Sequence, residues 1–522
     1  MECDKMVELN LGWSAALVYV VGYLLVSWSA ARPWRVATAV ATVSLLISLA
    51  LLLAAPVAAL LYGYEADKVG LVAAVLVTLL GWVIVRYSQR YLAGEPGQQR
   101  FVRSLLFTIT AVMILVVSQH LVVIVLAWSA TSVGLHHLLT FYPDRKAAQV
   151  VAHKKFLFSR LAEICLVIAL WLIYQAVGSL SLSALQQHLA GATQASAGLH
   201  LAAVLFALAA ILKTAQLPLH GWLIQVMEAP TPVSALLHAG VVNMGGLVLI
   251  RLADLMAVSV SAQWLLVVVG SLTAVLAGLV MLTRVSVKVR LAWSTCAQMG
   301  FMLMEIGLGL YELALLHLVA HSCYKAYSFL SAGETVRYAR LGDMLSPADG
   351  QRPYGWYLIT AVVSVLLVFG SAELWHLLLP ELRVPAAALW IVALGLASLL
   401  WVEQGSLLRQ WVSGLVRVLT LTQLYLLWHW LFSGLAPTAT QAEPGALVWV
   451  VACFGALYAI QIWLRRYPSG RFARRFYPWA FGGFYLDETV TRLTFKIWPV
   501  RFSAVQARTM ANPTLKSQGE SQ

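Results

Sequence analysis

Between Leu212 and Gly240 the chain reads LKTAQLPLHGWLIQVMEAPTPVSALLHAG, an apolar stretch with a lysine, two histidines, a glutamate and three prolines embedded in it. A cation at bilayer depth costs roughly 3 kcal/mol on insertion scales, so Lys213 is expected to face a wet cavity and to have a task there. Pro218 removes a backbone donor and clashes one turn back, which breaks a helix and leaves carbonyls for water, protein or an ion to satisfy. Pro230 and Pro232 mark a second interruption. Broken helices carrying ionisable groups mark ion pathways, and Lys213, Glu228 and His238 are candidates for one. The competing reading is a proline-kinked core helix whose lysine snorkels to the interface.

Three further clusters share the middle of the chain. In HKKFLFSRLAE, residues 153 to 163, Arg160 and Glu163 lie three apart, on one helical face and close enough to pair. That pair either stabilises a helix end or takes part in proton movement. In residues 282 to 302, Lys288 stands near the mouth of an apolar run, where lysines commonly anchor a helix. In residues 315 to 334, His317, His321 and Lys325 follow at i, i+4 steps and make a polar stripe about 12 Å long on one helix face. Histidine titrates near neutrality, so such a ladder can pass protons between waters, or it can be a buried structural network. Leu318 stands where a zinc hydrolase would carry its glutamate, and no third ligand is near, so no metal is expected in this chain.

The elements that must position these residues are transmembrane helices. Of 522 residues, 61% are hydrophobic and 11% charged, against about 25% charged in an ordinary soluble domain. Apolar runs of roughly 18 to 25 residues follow one another from Leu11 to about Leu464, some 14 or 15 in all. The expectation is an all-α polytopic membrane protein in the lipid bilayer, with residues 1–465 as the membrane domain and 466–522 as a basic tail. The last residues, from about Ala511, are polar and expected to be disordered.

A net charge of +13 raises nucleic acid as a partner, but the placement of the charges excludes it. Arg32 and Arg35, then Arg86, Arg90, Arg100 and Arg103, then Arg145, Lys146, Lys154 and Lys155 fall after alternate runs, whereas Glu65 and Asp67 outweigh Lys68 in a loop between. By the positive-inside rule the first set is cytoplasmic, the N-terminus external, and the tail with Arg465, Arg466, Arg471, Arg474 and Arg475 cytoplasmic. Such a tail suits anionic lipid or an acidic partner. The five cysteines, Cys3, Cys165, Cys296, Cys323 and Cys453, form no ligand or disulfide pattern, and four read as small core residues. Glu2 and Asp4 at the start give no basic region of a cleaved signal, so the first helix is expected to stay.

Together these segments resemble the proton-translocating antiporter-like proteins of respiratory complex I, its subunit L above all, and of the Mrp-type multisubunit sodium/proton antiporters, over roughly residues 100 to 340. The family signature is met by Lys213, Gln216, Pro218, Trp222, Glu228, Pro230, Pro232, Ser234 and His238, then by Lys288, Leu291, Trp293, Gln298 and Gly300, then by His317, His321 and Lys325. The segment Gly482 to Glu488, GGFYLDE, is like the family's C-terminal region. The resemblance implies inverted-topology repeats with broken helices near the midplane and a hydrated chain of Lys and His across them. Two departures narrow it. The tryptophan matched by Trp128 is followed in the complex I and Mrp proteins by a glutamate that pairs with the broken-helix lysine, and here by Ser129, leaving Glu163 or Glu228 to take that role. The residues from Trp356 to Pro380 should hold a second broken helix, yet they offer Glu373 and His376 and no lysine.

A relative shortened and altered in this way is similar to the DabB-type membrane subunits of bacterial inorganic-carbon accumulation systems. That resemblance implies a multi-pass protein of the bacterial inner membrane, not itself an enzyme, whose proton or sodium flow drives carbon dioxide hydration on a DabA-like soluble zinc protein related to β-carbonic anhydrases. Zinc is then expected in the partner and no cofactor in this chain. The alternatives are a pumping subunit of a complex I-like, hydrogenase or Mrp assembly and, of another class, a non-conducting anchor for a soluble subunit.

Overall fold

The computed structural model describes residues 12–28, 32–62, 67–142, 145–191, 195–334, 353–382, 384–401, 407–437 and 443–498. Long runs of Leu, Val, Ala and Ile with few breakers give helices almost throughout. In order these are α1 (Gly12–Trp28), α2 (Pro33–Tyr62), α3 (Lys68–Tyr91), α4 (Gln98–Val117), α5 (Leu121–Leu139), α6 (Lys146–Val177) and α7 (Leu182–Gly191). The central set is α8 (Ala197–Lys213), α9 (Gly221–Ile224), α10 (Thr231–Ala239), α11 (Met244–Arg251), α12 (Ala253–Ala257), α13 (Val260–Met281), α14 (Val287–Gly307) and α15 (Tyr311–Leu330). The last are α16 (Tyr354–Leu378), α17 (Ala386–Ala397), α18 (Leu407–Phe432), α19 (Pro444–Arg466), α20 (Arg471–Phe481) and α21 (Leu486–Ile497). Among the described residues there is no strand beyond an isolated bridge between His120 and Ser181.

Among the described residues, ten helices are long and apolar enough to cross a membrane, and three shorter apolar ones, α1, α8 and the segment Ala386–Trp401, join them. Helices α14 and α15, of 21 and 20 residues, have crossing length too but carry the polar residues of interest. The protein is therefore an all-α, multi-pass membrane protein. One of the ten spans, Thr231–Arg251, is itself interrupted. It is α10, a 3-10 turn over Val241–Asn243 and α11, and its window is 94% buried, so lipid does not touch the break. Pro230 caps α10 and Pro232 lies in its first turn, where a missing backbone donor costs nothing.

Small residues set the crossing of α13 and α14. A β-carbon on Gly300 of α14 would sit 2.6 Å from the carbonyl oxygen of Gly270 in α13, so only glycine lets these backbones meet. Asp67 ties three elements: its carboxylate accepts from the backbone of Gly70 at 2.9 Å, from Gln119 at 2.9 Å and from buried Arg251 at 2.8 Å.

Three expectations are corrected. Lys154 and Lys155 are not loop charges, since both lie within α6 and are buried. Asp67 does lie in a loop, before α3, and there pairs with Arg251 of α11. The segment from Trp356 is not broken: α16 runs continuously because no proline falls inside it, and Glu373 is exposed. Of the cysteines read as core, Cys165 and Cys296 are buried but Cys323 is exposed on the outer face of α15 and Cys453 is half-buried. Cys3 and the segment from Ala511 lie outside the described residues.

Candidate functional site

Helix α8 ends at Lys213 because the next residues cannot continue it: Ala215 takes a left-handed φ of 55° and Pro218 offers no donor. The backbone groups released there are met by neighbours. Thr273 Oγ1 accepts from the Leu217 amide at 3.1 Å, Cys296 Sγ donates to the Ala215 carbonyl at 3.2 Å, and Gln216 Nε2 donates to the Thr214 carbonyl at 3.2 Å. The break is thus built into the packing of α13 and α14, as a functional break in a membrane requires.

The Lys213 side chain points into the interior, 5% exposed. Its ammonium donates to the Trp128 carbonyl at 3.2 Å, stands 4.8 Å from the Trp128 ring centre and lies 3.9 Å from Glu163 Oε1. Arg160 holds the same carboxylate oxygen at 2.7 Å. Glu163 therefore serves two cations, and the pairing of Arg160 with Glu163 is part of the Lys213 site rather than a separate helix-end contact. Beside it lies a cavity with room on the order of one water, lined by Trp128, Ser132, Lys155, Ser159, Lys213 and Trp222. The Lys155 ammonium is 5.7 Å from the Trp222 ring centre.

Across α10 the second set begins. His238 is fully buried and stacks on Phe329 of α15, ring centres 4.5 Å apart. On α15, the His317 and His321 rings are 6.0 Å apart, and the buried Lys325 ammonium donates to the Leu291 carbonyl at 3.0 Å. His317 Nδ1 meets buried Glu305 Oε2 at 2.9 Å. Lys288, expected as a simple anchor, donates to Thr231 Oγ1 at 2.8 Å and so joins the start of α14 to the start of α10.

Both ring nitrogens of His238 and both of His321, with Gln216 Oε1 and Asn243 Oδ1, are buried without a hydrogen-bond partner among the described residues. A buried polar group is stable only when water or a protein partner meets it, at a cost of about 1–3 kcal/mol otherwise. These atoms run from the break at Gln216 through Asn243 and His238 to α15. Among the described residues, no three His, Cys, Asp or Glu side chains stand close enough to share a metal ion.

The structure brings Lys213 and Glu163 into one centre, and His317, His321 and Lys325 onto one face of α15 with His238 packed against that helix. The side chain of Glu228 lies outside the described residues. Three residues of the site were missed in the sequence: Lys155, Glu305 and Asn243. Glu305 had a usable signal, a carboxylate inside an apolar run, and Lys155 looked like a loop charge.

If Glu163 replaces the carboxylate absent at position 129, Glu163→Gln keeps a hydrogen-bond acceptor for Arg160 but removes the counter-charge of Lys213. Ion transfer is expected to fall about a hundredfold, the range for loss of a proton-transfer group, with the protein still present in membranes. Full ion transfer by this variant, measured in proteoliposomes under a pH gradient, would move the role to another carboxylate.

Comparison with known proteins places this architecture. Residues 118–345 match the family described as NADH:quinone oxidoreductase/Mrp antiporter, TM, and residues 57–102 match the complex I chain 5 N-terminus. In overall shape the chain is similar to part of the Mrp complex from Dietzia sp., with a TM-score of 0.57 at 19% identity, covering 97% of this chain and 62% of that one. In sequence it is 43% identical over 441 residues, 83% of each chain, to the probable inorganic carbon transporter subunit DabB of Hydrogenovibrio crunogenus. It is 39% identical over 462 residues to DabB2 of Halothiobacillus neapolitanus, covering 86% of this chain and 82% of that one. A Lys-centred break beneath a histidine helix, in a sequence this near to those relatives over most of its length, makes the chain a member of the DabB family of inorganic carbon transporter subunits, multi-pass membrane proteins of antiporter-like fold.

Proposed function

We propose that this chain conducts protons or sodium ions across the bacterial inner membrane and that this flow drives carbon dioxide hydration on a soluble, DabA-like zinc protein. The observation that carries the reading is the Glu163–Lys213 pair at the helix break, followed by buried His238 and His321, whose ring nitrogens have no partner among the described residues. A non-conducting anchor has no use for such a lining, because each unmatched atom costs stability. The names of the relatives in Hydrogenovibrio and Halothiobacillus, inorganic carbon transporter subunits, supply the substrate class.

Hydration needs a water ionised near pH 7, which zinc provides when bound. In this reading the zinc belongs to the partner. The N-terminus is external and the tail cytoplasmic, on the side where bicarbonate accumulates. There α20 exposes Arg471, Arg474 and Arg475 beside Phe472 and Trp479, a surface for an acidic protein with apolar anchors. Co-expression of the chain with a DabA-like soluble zinc protein, followed by affinity purification from detergent, is expected to recover both together with zinc. Recovery only with quinone-oxidoreductase or antiporter proteins would replace the carbon reading with a redox or Mrp assembly.

A further inference from the structure

The tail reaches into the site. Asp487, in the first turn of α21, accepts from the Lys154 ammonium at 2.8 and 3.1 Å, from Gln225 Nε2 at 3.1 Å and from its own helix through Thr491 Oγ1 at 3.1 Å. Lys154 also donates to Gln225 Oε1 at 3.2 Å, closing a three-residue ring of contacts. The Lys154 side chain is fully buried and that of Asp487 is 21% exposed, so a water-facing helix here meets a buried cation. The fit leaves no slack. A β-carbon on Gly221 would overlap the Asp487 carboxylate. The end of α21 is held as well: Trp498 stacks on His153 at 4.1 Å and meets Phe156 edge-on at 5.5 Å.

What these contacts fix is the wall of the Lys213 cavity. Lys155, the next residue in α6 after Lys154, lines that cavity, as does Trp222, three residues before Gln225. One carboxylate from the tail therefore ties both α6 and the broken segment. We infer that Asp487 is a positioning residue for ion transfer, and that α21 is the latch through which the tail sets the geometry of the Lys213 cavity. This inference rests on the ion-conducting reading above. With Asp487 seated, Lys155 and Trp222 are held against Lys213. With it withdrawn, Lys154 is a buried cation without its counter-charge and the segment from Gly221 loses its tie. A partner bound to α20 acts at this point because residues 482–485 alone separate that helix from α21.

The test uses cells that co-express the chain with its soluble partner, with uptake of labelled inorganic carbon measured against concentration. Asp487→Asn and the double variant Lys154→Met/Asp487→Asn are compared with Lys213→Met, and membrane levels are measured for each. Removing both members of a buried pair leaves no uncompensated charge, so the double variant is expected to assemble even if Asp487→Asn does not. The expected result is a maximal rate lower by about tenfold in the double variant, the scale of a coupling interaction, with the half-saturating carbon concentration unchanged. Gly221→Ala is expected to reproduce that loss. Wild-type uptake by the double variant would reduce the pair to a structural contact and overturn the latch. If Lys213→Met is inactive while the Asp487 variants transport normally, the latch alone fails; if Lys213→Met itself transports normally, the ion-conducting reading fails and the latch with it.

Discussion

Replacement of Lys213 by methionine is expected to abolish inorganic carbon uptake while leaving the protein in the membrane. The two halves of this outcome have separate physical grounds. Methionine fills nearly the same volume with no charge, so the roughly 3 kcal/mol cost of placing a cation at this depth disappears. Glu163 is not orphaned, because Arg160 still holds it at 2.7 Å. Stability should therefore be unchanged or higher. On the proposed ion-conducting reading function should not survive, since the ammonium is then the group that gives and takes a proton between the cavity and the Glu163 carboxylate, and loss of such a group costs about a hundredfold or more. Growth in air of a host lacking carbonic anhydrase, together with quantification of the protein in membranes, checks both halves. Growth equal to wild type at equal protein level would return Lys213 to the class of helix anchors.

His321→Leu is the second large effect, and here transport is expected to fall with no loss of stability. Both ring nitrogens of His321 are buried without partners among the described residues, so an apolar side chain of similar size removes no protein hydrogen bond. The thermal midpoint in detergent should hold. Uptake should fall about a hundredfold, because a chain of proton steps along α15 loses a titratable link between His317, 6.0 Å away ring to ring, and Lys325 one turn on. A purely structural histidine gives the reverse pattern: a lower midpoint and intact uptake. Measuring both on one preparation separates the two.

Most of the architecture was legible in the sequence, because a bilayer punishes exceptions. Runs of apolar residues long enough to cross it have few alternatives to helices, and a lysine, prolines and histidines inside such runs stand out against that background. The break after Lys213 and the i, i+4 ladder on α15 follow from local spacing, and the antiporter-like family from the resemblance that the motifs carry. Spacing also placed Arg160 and Glu163 on one face.

Contacts between distant segments were not legible. Whether Glu163 or Glu228 faces Lys213 depends on how α6 packs against α8, and only packing brings Glu163 Oε1 to 3.9 Å from the ammonium. Lys154 and Lys155 carry the same charge and sit in the same basic stretch as true loop residues. Their burial arises because Asp487, far along the chain, supplies a counter-charge to one and a cavity receives the other. The continuous α16 is of the same kind: family likeness suggested a break, but without an internal proline nothing in the chain opposes the backbone bonds of an unbroken helix. What the sequence determined alone were the properties set by a residue and its near neighbours in an apolar solvent. What the tertiary structure decided was which charges meet, since an ion pair is fixed by distance in space and the chain carries no local record of it.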